Sequence, residues 1–411
     1  MSDRKQVVIA GAGPVGMAAA LKLAQAGLDV TIYELGEDLS LDSKASTFHI
    51  PTLEMCEELG LIDDMLAQGL KVPLFQQRDR QGGKIIAQVD LTLLSDETKY
   101  PYRLQLEQSK FTRIVAKHLV NYPNAHLNFG NGVASAEDHG DYAVAILKDG
   151  TRVECDWLLG CDGSNSMVRQ SFGFEFPGTT FVDRFLVMST TFEFRDAMPD
   201  LVEVAYITDP NEWIVLLKTP DHWRITMPVG PDEDDATATS DKRVQERLNS
   251  VLADVGYGPV EFPLLESSIY RVNQRVAQNF AINRILLAGD SAHMNNPLGG
   301  FGMNSGIHDA WSATDVVEAV ELRGADPVKA AQIHGVVRSE VCHTYVQANT
   351  KRNYKDMSEK DETARQARNA MLRELQDDPI KQKEYLLGTS MLTSAHDAVA
   401  RVRKELAALT S

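Results

Sequence analysis

Cysteine is scarce in this chain. Four occur in 411 residues, Cys56, Cys155, Cys161 and Cys342, and no two stand as C-x-x-C. That excludes the usual disulfide frame or zinc knuckle. Positive charge is also in short supply, with 41 Lys and Arg against 58 Asp and Glu, a formal net charge of -17. A field of that sign repels phosphate backbones, and no local basic patch offsets it, so nucleic acid is not an expected partner. Long apolar runs are missing too, so no bilayer span is expected. One stretch imitates a signal peptide, because Arg4 and Lys5 precede an apolar run. That run contains Gly11, Gly13, Pro14 and Gly16 and leads into a second strand, which a nucleotide-binding turn explains and a signal peptide does not. No internal repeat is visible. The expectation is a cytoplasmic globular protein with no membrane contact.

What is present begins at once. Residues 7–10 read as a short buried parallel strand, 14–26 as an Ala- and Leu-rich helix stopped by Gly27, and 30–33 as the next strand. Between them Gly11, Gly13 and Gly16 form G-x-G-x-x-G. The first glycine allows the tight turn, the second close approach of a pyrophosphate, and the third close helix–strand packing. Pro14 and Val15 open a helix whose N-terminal N–H groups favour phosphate. Glu34, closing the second strand, suits a ribose diol. An S-adenosylmethionine site would more often show a looser glycine pattern. The turn alone leaves NAD and FAD open. A nicotinamide dehydrogenase would continue with alternating strands and helices. This chain turns early to a hairpin around "DRQGGK" within residues 72–91, and to three short strands between 126 and 155, a β-meander. That favours FAD.

Helices are expected over 52–69, with a break near Gly60, and over 107–119. From 174 to 279 the sequence reads as long antiparallel strands with one helix over 242–253, an inserted sheet. From 307 onward it is mostly helical, and the charged stretch 357–374 reads as a solvated helical face.

Two further motifs carry chemistry. In "LLAGDSAHMNNPLGGFGMNSGIHDA", Gly289 and Asp290 follow an apolar strand, and Asp290 is placed to accept from the hydroxyls of a ribityl chain. Gly299, Gly300 and Gly302 let backbone approach a flat ring. A helix starting near Gly302, through Met303 and Asn304, aims its dipole at that ring, where it stabilises a reduced, anionic flavin. In "WLLGCDGSNSMVRQSFG", Asp162 and Gly163 precede a short helix capped by Ser164 or Ser166.

The three motifs in this order resemble the class A flavin-dependent aromatic hydroxylases, the p-hydroxybenzoate hydroxylase-like family, over residues 7–320. The resemblance implies an α/β fold. A Rossmann-type FAD-binding domain with a β-meander would take residues 1–173 and 280–340. An inserted antiparallel-sheet substrate region would take 72–106 and 174–279, and a helical C-terminus 341–411. It implies that the first motif binds the ADP part of FAD, that Asp162 belongs to FAD and NAD(P)H handling, that Gly289 and Asp290 contact the ribose and ribityl region, and that Pro297 and the following glycines line flavin and substrate. Lys44 stands where the family usually carries arginine, a point charge in place of a fork, and Gln108 matches a glutamine facing the flavin.

The implied activity is FAD-dependent, NAD(P)H-consuming hydroxylation of an electron-rich phenolic or heteroaromatic substrate by O2 through a flavin C4a-hydroperoxide. No second G-x-G-x-x-G exists for NAD(P)H, in keeping with the family. His49 is the candidate base, with Tyr206 and His222 further candidates on the expected sheet, and Pro297 is a candidate for orienting substrate and flavin. His293, His308, His334 and His343 lack a matching carboxylate set, so no metal is expected. The C-terminal helices pack on the FAD domain or form a homodimer. The rival readings are an FAD-dependent epoxidase or reductase of a non-aromatic substrate and a non-catalytic flavin-binding protein. The absence of W-x-W-x-I-P argues against halogenation.

Overall fold

The computed structural model describes residues 6–42 and 45–410, so Lys44 lies outside the described residues. A six-stranded sheet runs in the order Ala281–Ile282, Ile285–Leu287, Trp157–Gly160, Gln6–Ala10, Asp29–Tyr33, Ala125–Asn128. Its pairings are parallel except at the two-residue edge strand Ala281–Ile282. The central strands are continuous apolar runs because both faces are covered, and Val7, Val8, Ile9, Leu158 and Leu159 are fully buried. On one face lies the helix Pro14–Gln25, packed on the long helix Phe301–Arg323. Lys22 joins the two, reaching Asp315 at 2.5 Å and Glu318 at 2.9 Å. On the other face lies the meander Val133–Asp138, Ala143–Leu147, Arg152–Cys155.

The region 126–155 was expected to form only the meander. Its first strand, Ala125–Asn128, instead extends the parallel sheet beside Asp29–Tyr33. Asn124 explains the detour. Its amide donates to Ala24 O at 3.0 Å and Leu28 O at 2.7 Å, which fixes the chain beside the end of the first helix.

The second sheet has eight strands, in the order His293–Met294, Leu264–Val276, Gly178–Thr190, Trp223–Val229, Ile214–Lys218, Val204–Thr208, Leu74–Asp79, Ile85–Asp90. The expected hairpin is its last pair. The pairing of Val204–Thr208 with Leu74–Asp79 is parallel, the rest antiparallel. The 13-residue strand Leu264–Val276 is not evident from its sequence, because LLESSIYRVNQRV is polar and largely solvent-facing. A further small sheet has the order Thr47–Phe48, Arg103–Gln105, Leu70–Val72, and the hairpin Leu74–Asp79 and Ile85–Asp90 of the eight-stranded sheet falls within its sequence span.

The helices expected over 52–69 are Ile50–Glu58 and Ile62–Gln68, with Gly60 at φ +73° between them. At the C-terminus, Pro327–Val341 passes through a π-helical turn, Cys342–Gln347, into Ala348–Ser358. The helix Leu392–Ala407 returns to the main core through Ala398, Val402 and Leu406. The charged stretch 357–374 is more than a solvated face. Most of it belongs to the helix Glu362–Asp377, whose Leu372 and Leu375 cover Ile86 and Ala87. Gln376 and Gln382 then accept from the backbone N–H of Gln88 and Asp90, each at 2.7 Å, closing an open sheet edge. All four cysteines are buried and free. Among the described residues, no helix is long and apolar enough to cross a membrane.

One buried ionic node joins these layers. Asp309 accepts from Arg338 Nε at 2.6 Å, His293 Nε2 at 2.7 Å and Gly289 N at 3.0 Å. Burial opposes its charge, but Arg338 and His293 outweigh burial and hold the carboxyl far below its usual range. Burial likewise opposes the charge on His293, and Cys342 and Asp309 outweigh it, so the imidazole stays well above its usual value. The carboxylate contribution to stability is therefore present above the unfolded value of about 3.9 and lost only as pH falls through the depressed one. The histidine contribution is complete below about 6.5 and lost as pH rises through the elevated value. Asp309→Asn should cost about 3–5 kcal/mol by leaving Arg338 uncompensated. In denaturant titrations of the apoprotein, the stability gap between wild type and His293→Gln should be widest below about pH 6.5 and narrow above it. A gap that widens with rising pH would contradict the assignment.

Candidate functional site

The glycine-rich turn separates protein packing from ligand space. Gly11 sits at φ +96°, and a Cβ there would lie 2.6 Å from Cys161 O. A Cβ on Gly16 would lie 2.1 Å from Gly11 O. Both glycines are required by the protein itself. Gly13 is not: a Cβ there meets no protein atom within 4 Å. The helix Pro14–Gln25 starts at Gly13 without a side-chain cap, with Pro14 in the first turn, leaving orphan N–H groups at Val15 and Gly16. Val15 points its side chain inward, where a Cβ on Gly289 or on Gly306 would come 2.9 Å or 2.7 Å from its Cγ2. It offers a ligand only its backbone. Glu34 closes the turn, accepting from Ala12 N at 2.8 Å and Gly36 N at 2.9 Å.

The Asp162 and Asp290 motifs are stitched together beside this turn. Asp162 Oδ2 accepts from Met167 N at 2.7 Å and Val168 N at 3.1 Å, while Ser166 Oγ caps the same helix by accepting from Arg169 N. Asp162 Oδ1 is buried and has no hydrogen-bond partner among the described residues; burial raises this carboxyl's pKa. Arg169, resting on Phe176, donates to Ser164 O and to Ser291 O. Ser291 Oγ donates to Gly160 O at 2.5 Å. Asp290 is exposed at the end of this crossover. Its charge reinforces burial in pushing the Tyr270 hydroxyl up to about 12.

The loop after Asn295 is held by its carbonyls. Asn296 O accepts from Asn295 Nδ2, Pro297 O from Gly300 N, Leu298 O from Asn353 Nδ2, Gly299 O from His49 Nε2, and Gly300 O from Asn304 Nδ2. Gly299 at φ +102° and Gly300 at φ +70° permit that winding. Pro297 itself is exposed. The helix begins at Phe301, one residue before the expected Gly302, again without a side-chain cap. Gly302 and Met303 contribute first-turn N–H groups. The Asn304 side chain is committed to the protein, accepting from His49 N and donating to Thr47 O, each at 2.8 Å.

His49 is buried and stacked on Phe301 at 5.4 Å. Burial, then the nearby Arg103 charge, lowers its pKa to about 3 despite the Gly299 hydrogen bond. The ring is neutral, and the carbonyl opposite Nε2 places the proton there. Gln108 starts the helix Gln108–Leu119, its N–H donating to Ala45 O at 2.9 Å.

A row of residues missed by sequence reasoning lies just before Gln108. Arg103, Leu104, Gln105, Leu106 and Glu107 are all buried. The leucines enter the main core, so the three polar chains share the opposite face. Arg103 Nη1 donates to the Tyr206 hydroxyl at 3.2 Å, and its guanidinium lies 4.5 Å from the Phe75 ring centroid. Gln105 Oε1 accepts from Thr47 Oγ1 at 2.9 Å. Arg103 Nε and Gln105 Nε2 are buried without a hydrogen-bond partner among the described residues. Glu107 pairs with Lys110 at 3.1 Å and approaches His222 at 3.9 Å. Two of the sequence candidates, Tyr206 and His222, thus meet opposite ends of this row, although His222 lies in the turn before Trp223–Val229 and not on a strand. The signal was the alternation in RLQLE, which a half-exposed strand would share.

Across from the row, Leu298 packs with Phe185, Trp213, Val272 and Met357, and Tyr206 and Val215 lean on the same cluster. The loop therefore meets an apolar wall of the large sheet. These features fit a dinucleotide cofactor carrying a planar ring: open space above Gly13, two uncapped helix N-termini, and an orphaned carboxylate oxygen at Asp162. No group of three or more His, Cys, Asp or Glu among the described residues is arranged to hold a metal ion.

Comparison with known proteins agrees. Residues 4–326 match a family model described as an FAD binding domain. The chain is 30% identical over 391 residues to para-nitrophenol 4-monooxygenase of Pseudomonas sp. (strain WBC-3), spanning 94% of this chain and 95% of that protein. It is 32% identical over 326 residues to 6-hydroxy-3-succinoylpyridine 3-monooxygenase HspB of Pseudomonas putida (strain DSM 28022 / S16), spanning 78% and 81%. The crystal structure of p-nitrophenol 4-monooxygenase PnpA from Pseudomonas putida DLL-E4 aligns with a TM-score of 0.86 at 27% identity, covering 97% of this chain and 98% of that one. By descent and by fold alike, the chain belongs to the FAD-binding family of aromatic-ring monooxygenases.

Proposed function

We propose that the protein hydroxylates a small phenolic or hydroxylated heteroaromatic ring, with FAD extending from the Gly11–Gly16 turn to the loop 297–302. The observation that carries this reading is the loop itself. Five consecutive carbonyls, 296–300, are bonded within the protein, while the uncapped N–H groups after Gly300 remain for a polar ring edge. In this reading Gly11, Gly13, Gly16 and the Val15 N–H receive the pyrophosphate. Glu34 and Asp290 take sugar and ribityl hydroxyls on their remaining lone pairs. Asp162 and Gln108 border the cofactor, and Gly299, Gly300, Gly302 and Met303 face the flavin. When bound, FAD accepts reducing equivalents from NAD(P)H and activates O2.

The chain's own contribution is order and dryness. Asn304 and His49 fix the loop against Thr47, and neutral His49 acts as a donor to Gly299 O in place of a base. The Phe185, Trp213 and Leu298 wall excludes water, which protects reactive species from wasteful decay. Residues 1–173 and 280–340 form the FAD-binding part in this division, 72–106 with 174–279 the substrate side, and 341–411 the cover. A cytoplasmic setting supplies NAD(P)H. The relatives' names include para-nitrophenol and a hydroxypyridine, so a panel of phenols and hydroxypyridines, 4-nitrophenol among them, is the first to try. Aromatic-dependent NAD(P)H oxidation with O2 uptake and a hydroxylated product is expected. An enzyme that oxidises NAD(P)H indifferently to every ring and yields no hydroxylated product would defeat the reading.

Gly13→Val should abolish FAD retention with little change in the melting temperature of the apoprotein, because no protein atom lies within 4 Å of the new Cβ. Gly16→Ala should instead destabilise the apoprotein itself. Retained FAD in Gly13→Val would move the pyrophosphate elsewhere.

His49→Ala frees Gly299 O, and Gly300→Ala forces a left-handed alanine, costing about 1–2 kcal/mol locally. Both variants should keep FAD yet give less hydroxylated product per NAD(P)H, with the shortfall appearing as hydrogen peroxide. Since His49 stays neutral, coupling in the wild type should show no inflection from it between about pH 5 and 8. Unchanged coupling in both folded variants would show that the loop does not control oxygen transfer.

A further inference from the structure

His222 precedes the strand Trp223–Val229, and Trp223 turns into the core behind the sheet. His222 therefore faces the 103–107 row, where its Nδ1 lies 3.9 Å from Glu107 Oε1. The Thr219 hydroxyl donates to His222 O at 3.0 Å, and its oxygen stands 3.1 Å from Nδ1. That oxygen and the Glu107 carboxylate both favour a proton on Nδ1. Burial lowers the pKa of the imidazole and Arg224 adds to the effect, while Glu107, Glu266 and Asp221 oppose it without reversing it. Lys110, 3.1 Å from Glu107, offsets that carboxylate further. At neutral pH the ring is therefore uncharged, with Nε2 a bare acceptor. Nε2 is buried and has no hydrogen-bond partner among the described residues. It is an unmet acceptor that the N–H of a ligand can satisfy.

The two ends of the row differ in access. At the Arg103 end, Tyr206 packs with Phe75, Leu386 and Leu392, and the two leucines come from the C-terminal helices Pro379–Thr389 and Leu392–Ala407. At the Glu107 end, the Lys110–Asp221 pair closes at 2.5 Å with side chains 30% and 68% exposed. A small ring fits behind the covered end. A dinucleotide reaches in from solvent, which suits the open one. The chain has no second G-x-G-x-x-G, so its reductant is recognised by a few groups near the reacting ring. Glu107 lies roughly 7 Å along the strand from Gln105. Gln105 is bonded to Thr47, whose Cβ lies 3.2 Å from where a Gly300 Cβ would stand. The unmet acceptor thus sits one step from the flavin loop, on the side open to solvent.

We propose that His222 Nε2 accepts the carboxamide N–H of the nicotinamide ring, so that NAD(P)H docks at the Glu107 end of the row. This rests on the monooxygenase reading above and names where its reductant is recognised. The carboxamide stands beside the carbon that gives up the hydride, so holding it orients the reacting ring. A single hydrogen bond holds the ring weakly, which lets NAD(P)+ leave by the open end after each turnover. His222 is on this account a docking residue and not a base.

The test uses the FAD-loaded enzyme without oxygen, and NADH, NADPH and the reduced 3-acetylpyridine analogue of each. The analogue keeps the carbonyl but carries a methyl in place of the NH2 group. Affinity is read from the concentration dependence of flavin reduction after rapid mixing. The wild type should bind its preferred nucleotide about three- to tenfold more tightly than the matching analogue. His222→Leu should erase that preference, and His222→Gln, which keeps an acceptor, should retain part of it. Both variants should hold FAD and bind 4-nitrophenol as the wild type does. The proposal is overturned if His222→Leu keeps the full preference, or if the wild type shows none. Equal losses for nucleotide and analogue overturn it too, since a merely structural residue would act on both. Loss of FAD from both variants would assign Nε2 to the cofactor, and loss of nitrophenol binding alone would assign it to the substrate; either result refutes the docking site. A wild type that hydroxylates a ring yet shows no preference refutes the docking site and leaves the monooxygenase reading standing. A preference that depends on His222, in an enzyme whose NAD(P)H oxidation no aromatic ring stimulates, does the reverse. If neither nucleotide reduces the flavin, both readings fail.

Discussion

The Asp309 carboxylate holds three parts of the molecule in one register. Through Gly289 N it fixes the end of the parallel sheet, through His293 the short strand that enters the large sheet, and through Arg338 the C-terminal helical run. The ion is fully buried, so its geometry is enforced by the cost of leaving any partner unpaired. Everything between Gly289 and Phe301 hangs from it, including the loop whose carbonyls are bonded inward. The chemistry of the site thus rests on a residue that faces away from it.

A second theme is the division between side chains that bind and side chains that position. Val15, Asn304 and His49 fall among the motif residues, yet their polar or bulky atoms are spent on the protein. What Val15 leaves to a ligand is backbone, and His49 and Asn304 fix the loop beside it. In the proposed site, backbone donors at the two uncapped helix starts take phosphate and ring edge without long flexible chains, which lowers the entropy cost of holding a cofactor in place. Buried polar side chains are concentrated instead in the 103–107 row, where Arg103 meets Tyr206 of the large sheet.

This division explains what the sequence disclosed. The glycine turn was legible because Gly11 and Gly16 answer local steric demands at fixed spacing. The hairpin around Gly82 and the helix break at Gly60 were legible for the same reason. The strand Leu264–Val276 was not, since a polar, largely solvent-facing strand lacks an apolar period. Ala125–Asn128 looked like its meander neighbours, and only the Asn124 side chain diverts it. The row Arg103, Gln105, Glu107 alternates like a surface strand. Its polar face is inside only because the large sheet, contributed mostly by residues 178–276, folds over it, and nothing near position 103 records that.

The strand order also has a consequence for how the protein is made. The sheet neighbours of Gln6–Ala10 are Asp29–Tyr33 and Trp157–Gly160, and Ile285–Leu287 completes the far side. Leu74–Asp79 pairs at once with Ile85–Asp90, but its other edge must likewise wait for Val204–Thr208. During synthesis the glycine turn emerges first but has no finished cradle until the helix Phe301–Arg323 has been made. The N-terminal half therefore leaves the ribosome with unpaired strand edges, and such pairings between distant segments are slow to form. In the proposed site, the glycine turn at the start of the chain therefore gains its full cradle only after the loop 297–302 has been made.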